Sequence, residues 1–193
     1  MLTPIETLYA GCRFRSRLEA RWAVFFDVFQ LKWRYEPDGF RLPSGRCYLP
    51  DFLIDGVGYV EIKSTTDSDN GKIVELGDML QTINMKAYCI YGDVPNPMDI
   101  EPWGFGPWNP PDGGIYAADD DSPEYWFAIC PKCHCRGITY QARYARLSCG
   151  CFKELLSQPD GDRVWNDNIA RIHVALVAAR SARFEEYTRK EPA

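Results

Sequence analysis

Apolar residues recur at helical spacing over residues 16–29, where Leu18, Trp22, Phe25 and Phe29 stand at i, i+4, i+7 and i+11. The pattern predicts a helix that turns one stripe toward a sheet. Ser16 is placed as its N-cap and Glu19, three positions on, as the capping-box partner. Glu19 also lines up with Ala23 and Phe26, at the edge of the packed face. The period then changes to two in Lys32-Trp33-Arg34-Tyr35-Glu36, a first strand ended by the turn Pro37-Asp38-Gly39, with Phe40-Arg41-Leu42 as its extension. Cys47 to Lys63 reads as a hairpin of two strands, because apolar β-formers flank Asp55-Gly56 and Gly58. Lys72 to Asn84 carries Ile73, Leu76, Leu80 and Ile83 on one helical face, and Lys86 to Gly92 reads as the next strand. The predicted order is helix, three strands, helix, strand.

Alternation on the hairpin brings chemistry together. Asp51 shares a face with Leu53, while Glu61 and Lys63 share one and Val60 and Ile62 point to the other. Pairing around the turn sets Asp51 beside Glu61, an oxygen site suited to Mg²⁺ or Mn²⁺, with a lysine one strand step away. Ionisable groups on so apolar a hairpin are costly in a core and acceptable in a cleft or around a metal. The plain alternative is a surface hairpin with solvated charges.

Pro50-Asp51, nine residues, then Glu61-Ile62-Lys63 resembles the motif of the PD-(D/E)XK nuclease superfamily. The resemblance covers about residues 8–92 and implies an α/β fold, the restriction-endonuclease-like αβββαβ core with a mixed central sheet. It implies Glu19, Asp51 and Glu61 as ligands of a catalytic Mg²⁺ (or Mn²⁺) and Lys63 as the residue that orients or activates water. Gln81 on the second helix matches a glutamine that some relatives place near the site. Its usual companion is absent, because a Gln-x-x-x-Tyr pattern needs tyrosine at 85 and the chain has Met85; a solvated amide is the other reading of Gln81.

The second half changes character. Six prolines between Asp93 and Ser122 are mixed with Trp103, Phe105 and Trp108, which predicts an irregular segment, residues 95–124, wrapping the core or binding a partner. Asp119-Asp120-Asp121 reads as a solvated acidic turn. Tyr125 to Ile129 leads like a strand into Cys130-Pro131-Lys132-Cys133, and Cys149-Gly150-Cys151 follows after a 15-residue spacer. That spacing fits a small zinc ribbon over residues 125–160, with Cys130, Cys133, Cys149 and Cys151 holding a structural Zn²⁺. Cys135 or His134 could replace one ligand, and thiolates also suit iron. A C-terminal helix closes residues 161–193, with Ile169, Ile172, Leu176, Ala179 and Arg183 at helical spacing.

Composition sharpens this picture without overturning it. The 193 residues are 46% hydrophobic, enough for one good core and a small appendage, and no apolar run approaches a membrane helix. The N-terminus lacks the pattern of a signal peptide, so a cytoplasmic protein is expected, and five of the eight cysteines within 22 residues then point to metal instead of disulfides. The net charge of −5 is uneven: +1 over residues 1–66, −10 over 67–125 and +4 over 126–193. Local basic residues can therefore meet phosphates, with Arg15 and Arg17 near the proposed site and Arg136 and Arg143 on the ribbon.

The expectation is a metal-dependent nuclease whose partner is DNA, with RNA left open and no small-molecule cofactor. A homodimer would let it cut both strands of a duplex. The CxxC…CxC appendage with Ala179-Arg180-Ser181-Ala182-Arg183-Phe184-Glu185 is similar to small proteins of bacteriophages of actinobacteria, which implies a bacterial host cytoplasm. The competing expectation is a non-catalytic factor that binds nucleic acid or a host protein on the same fold.

Overall fold

The computed structural model describes residues 5–65, 69–99, 114–118, 125–140, 147–151 and 161–184. In chain order these form β1 (Thr7–Tyr9), β2 (Cys12–Phe14), α1 (Arg17–Val28), β3 (Trp33–Tyr35), β4 (Phe40–Arg41), β5 (Cys47–Tyr48), β6 (Phe52–Ile54) and β7 (Gly58–Lys63). There follow α2 (Gly71–Gln81), β8 (Ala87–Tyr91), β9 (Gly114–Ala117), β10 (Tyr125–Ile129), β11 (Arg136–Tyr140) and α3 (Gly161–Ser181). Seven strands make one mixed sheet in the order β11-β10-β9-β8-β7-β6-β3. Its neighbours are antiparallel except β7 and β8, whose parallel pairing follows from the crossover through α2.

α1 begins where expected, with Ser16 Oγ accepting the Glu19 N–H at 3.2 Å. Its buried face is broader than one stripe: Ala20, Trp22, Ala23, Val24, Phe25 and Phe26 are all enclosed. The breadth has a cause. The sheet covers one flank, with Phe127 4.6 Å from Phe25 and Phe52 5.2 Å from Phe26 between ring centroids. α3 adds Ile172, Ala175, Leu176 and Ala179 to the same cluster. Each large side chain so enclosed contributes about 1.5–3 kcal/mol, so the assembly of α1, α3 and this sheet face dominates the stability. α2 covers the opposite face with Ile73, Leu76 and Leu80 over Tyr59, Cys89 and Tyr91.

The central hairpin keeps the predicted alternation. Phe52 pairs with Val60 and Ile54 with Gly58, so Val60 and Ile62 turn to the α1 side and Tyr59 to the α2 side. Gly58 has φ +127, and a Cβ there would overlap the carbonyl of Lys86, which accepts the Tyr59 N–H; glycine alone permits this approach of β7 to the start of β8.

Several elements differ from the sequence expectation. Phe40–Arg41 does not extend β3 but pairs with Cys47–Tyr48 as a separate two-stranded ribbon. Pro50 then separates β5 from β6, since it offers no N–H to a ladder. The segment expected to be irregular contributes β9, which pairs with both β8 and β10. β10 and β11, expected in a separate ribbon, continue the central sheet through β9. α2 stops at Gln81 rather than Asn84. Asp119 to Asp121, Trp103, Phe105 and Trp108 lie outside the described residues. No described helix is long and apolar enough to cross a membrane.

Candidate active site and metal centre

Asp51, Glu61 and Lys63 come together at one end of the β6–β7 hairpin. Asp51 is 3% exposed, and its Oδ2 accepts the backbone N–H of Ile62 at 2.7 Å, which locks it across the ladder from Glu61. Glu61 is held through both oxygens: Oε2 accepts from Tyr48 Oη and Oε1 from Lys63 Nζ, each at 2.8 Å. Tyr48 arrives on β5, the strand not separated from β6 in the sequence reading. Burial, the Glu61 charge and the hydrogen bond push its hydroxyl far above the usual range, so it stays a donor.

Glu19 joins the cap of α1, as the capping-box reading expects, through the Ser16 hydroxyl. Its Oε1 accepts from Ser16 Oγ at 2.7 Å, and its Oε2 accepts from Tyr35 Oη at 2.5 Å and from the Arg15 N–H at 3.1 Å. It therefore ties the start of α1 to β3. It is also close enough for its charge to act on Asp51. Burial first, then the charges of Glu61 and Glu19, raise the Asp51 pKa well above the usual carboxylate range, against the pull of the Ile62 N–H and Arg15.

Glu61 and Lys63 border a cleft of about 510 Å³ that Arg15, Tyr48, Leu49 and Lys72 also line, whereas Asp51 and Glu19 do not line it. Gln81 is not brought there: it is exposed at the last turn of α2, whereas the cleft meets that helix at Lys72 and Ile73. Arg17 opens α1 and does not line the cleft. Arg136 is half-buried in a separate groove beside Arg171, where burial and the Arg171 charge lower its pKa. Arg143 lies outside the described residues. Tyr35 and Tyr48 escaped sequence reasoning; their one signal was position, each an aromatic hydroxyl next to a strand end.

The raised Asp51 pKa has a stability consequence with a definite sign. The folded value lies above the unfolded one, about 3.9, so the stabilising contribution is complete below pH 4 and is lost as pH rises through the folded value. In EDTA at pH 7, Asp51→Asn is expected to raise Tm by about 3 °C, the equivalent of about 1 kcal/mol in a chain of this size, and to flatten the decline of Tm with pH. Arg15, more than half exposed, already pairs with Glu36 at 2.8 Å and keeps that partner in the variant. A melting curve for the variant at or below the wild type would refute this account.

A second centre is built from sulfur. Cys130, Cys133, Cys149 and Cys151 bring their Sγ atoms within 4.8 Å of one another, a group that could hold a metal ion such as zinc. Tetrahedral Zn–S bonds of about 2.3 Å demand a similar spacing. The knuckle is shaped by backbone bonds, Cys130 N–H to Cys135 C=O at 2.7 Å and His134 N–H to Cys130 C=O at 2.8 Å. Cys135 and His134 are thus part of the knuckle's frame, and neither joins the four. Backbone and thiol hydrogen bonds lower the Cys133 pKa to about 7, while the hydrogen bond to Cys133 and burial push Cys151 up to about 12. Without a cation, clustered thiols resist ionising together; metal binding would release those protons.

Among the described residues, these four cysteines are the one group of three or more ligand side chains drawn close enough together to hold a metal ion. Protein cations sit on the carboxylates, Arg15 on Asp51 at 2.5 Å and Lys63 on Glu61 at 2.8 Å. No protein-family model, no curated protein and no solved structure matches this chain.

Proposed function

We propose that the chain is a metal-dependent nuclease of the PD-(D/E)XK kind that hydrolyses phosphodiester bonds in DNA. The observation that carries this reading is the union of Asp51, Glu61 and Lys63 at one hairpin end, beside a cleft that Arg15 and Lys72 also line. With the separate β4–β5 ribbon set aside, the order α1, β3, β6, β7, α2, β8 agrees with the αβββαβ order that the resemblance implies, which supports this reading.

Asp51 and Glu61, with Glu19 behind them, would hold Mg²⁺ or Mn²⁺; the donor set is all oxygen, as these hard cations require. Such an ion would supply a more acidic bound water and stabilise charge on the phosphoryl oxygens. Tyr48 keeps the Glu61 carboxylate in one orientation by donating to Oε2. Lys63 places a positive charge at the cleft edge, and Lys72 and Arg15 offer contacts to flanking phosphates. The sulfur centre would hold structural Zn²⁺, closed by four thiolates and therefore without a position for substrate.

The test is cleavage of supercoiled plasmid, linear duplex and single-stranded DNA in Mg²⁺ or Mn²⁺ against EDTA, with Asp51→Ala as the control. Metal-dependent cutting absent from the variant is expected. No cutting of any substrate, with zinc as the sole bound metal, would replace this reading with the binding-factor alternative.

A further inference from the structure

Arg15 holds a position that packing does not explain. It follows β2 directly and its side chain is 56% exposed, yet Nη2 reaches to 2.5 Å from Oδ1 of Asp51, whose side chain is 4% exposed. Its Nε pairs with Glu36 at 2.8 Å and meets Tyr35 Oη at 3.4 Å. Its backbone N–H donates to Glu19 Oε2. One residue thus engages Asp51 by side chain and Glu19 by backbone. A buried carboxylate facing two other carboxylates needs a cation near it, and Lys63 is already given to Glu61. Arg15 supplies that charge on a side chain that is more than half exposed.

We propose that Arg15 is the resident counter-cation of the carboxylate cluster: it holds Asp51 in the metal-free protein, yields Asp51 when a divalent cation binds, and carries its charge to the phosphodiester in the cleft it lines. This rests on reading Asp51 and Glu61 as metal ligands. The guanidinium suits the exchange because its planar fork fits carboxylate and phosphate oxygens alike, which the ammonium of lysine does not. The release leaves the Arg15 Nε on the partly buried Glu36 at 2.8 Å and frees the Nη2 end of the fork, which is the end that would meet a phosphate.

The experiment is calorimetric titration of Mn²⁺ into the full zinc-loaded chain at pH 8, comparing wild type with Arg15→Gln, Arg15→Lys and Asp51→Ala. Fluorescence anisotropy of a labelled 12-mer, all in a Lys63→Ala background expected to slow cleavage by about three orders of magnitude, follows the second half of the exchange. Arg15→Gln is expected to bind Mn²⁺ about tenfold more tightly than wild type, with Arg15→Lys between them. In the presence of Mn²⁺ the Gln variant is expected to bind the oligonucleotide about tenfold more weakly. A merely structural arginine would not move these two affinities in opposite directions. If Arg15→Gln fails to fold, the Lys variant decides alone, since it keeps a charge but loses the fork. Mn²⁺ affinity unchanged or weakened in the Arg15 variants, but lost in Asp51→Ala, overturns the counter-cation role and leaves the metal site standing. Asp51→Ala titrating like wild type overturns the metal reading and this inference with it.

Discussion

If the chain is the nuclease proposed, Lys63→Ala is expected to lower the rate of DNA cleavage by about three orders of magnitude while the chain stays folded. The size follows from what one preorganised donor contributes to a developing phosphoryl charge, about 10²–10³-fold, enlarged because Glu61 loses the donor on its Oε1 as well. On that reading its role is electrostatic and not that of a base. Burial works against the ammonium, but the hydrogen bond and charge of Glu61 outweigh it, and the Lys63 pKa ends raised. Lys63 is therefore protonated throughout the neutral range, and orienting water and phosphoryl oxygens is the work left to it. Single-turnover kinetics with saturating substrate separates this from binding: the rate falls and oligonucleotide affinity changes little. Lys63→Arg, which keeps a charge in altered geometry, recovers part of the loss. Activity of Lys63→Ala within twofold of wild type removes the lysine from the mechanism.

Cys133→Ser is expected to abolish zinc binding and lower Tm by about 10 °C. Removing one thiolate from a closed four-sulfur site forfeits most of a binding energy that reaches about 10–16 kcal/mol in small zinc modules; here a loss of about 3 kcal/mol is the measure, because the sheet remains, and each kcal/mol moves Tm by about 2–4 °C. Metal analysis of purified protein with a melting curve reads both quantities. Cys135→Ser is the control: its sulfur lies 3.7 Å from Ser148 Oγ and 3.8 Å from the Arg136 carbonyl, outside the four, and zinc is retained. Equal zinc content in Cys133→Ser and wild type would break the assignment. The damage spreads beyond the knuckle, since a Cβ on Gly56 of the β6–β7 turn would lie 3.0 Å from Ser148 Oγ, and one on Gly137 3.0 Å from Leu147 and 3.7 Å from Val57. The sulfur centre thus abuts the turn of the hairpin that carries the carboxylates.

What local pattern could show, it showed. The Ser16 cap, the apolar faces of α1 and α2, the turn at Gly56 and Gly58, and the opposition of Asp51 and Glu61 all follow from short-range rules of period and turn chemistry. The four cysteines were legible because ligand spacing is itself a local property. Long-range pairing was not. Nothing in Gly114-Ile115-Tyr116-Ala117 says that it enters between β8 and β10, or that Cys47–Tyr48 turns away to pair with Phe40–Arg41. The β1–β2 hairpin was overlooked although Ala10 and Gly11, both at positive φ, supply its turn. The partners of the site suffered most. Tyr48 on Glu61, Tyr35 on Glu19 and Arg15 on Asp51 join residues 13 to 36 positions apart, and only the folded sheet brings them into register.

The position of β9 governs how the chain can mature on the ribosome. β8 ends at Tyr91, but its second neighbour begins at Gly114, and the ring of Phe127 that closes the pocket around Phe25 and Phe29 comes later still. When the first 94 residues have emerged, every residue of the carboxylate site has been synthesised, yet one side of β8 is an open edge and the aromatic face of α1 is half covered. The hairpin that bears the carboxylates is complete early in translation and is secured only when the strands beyond residue 113 dock.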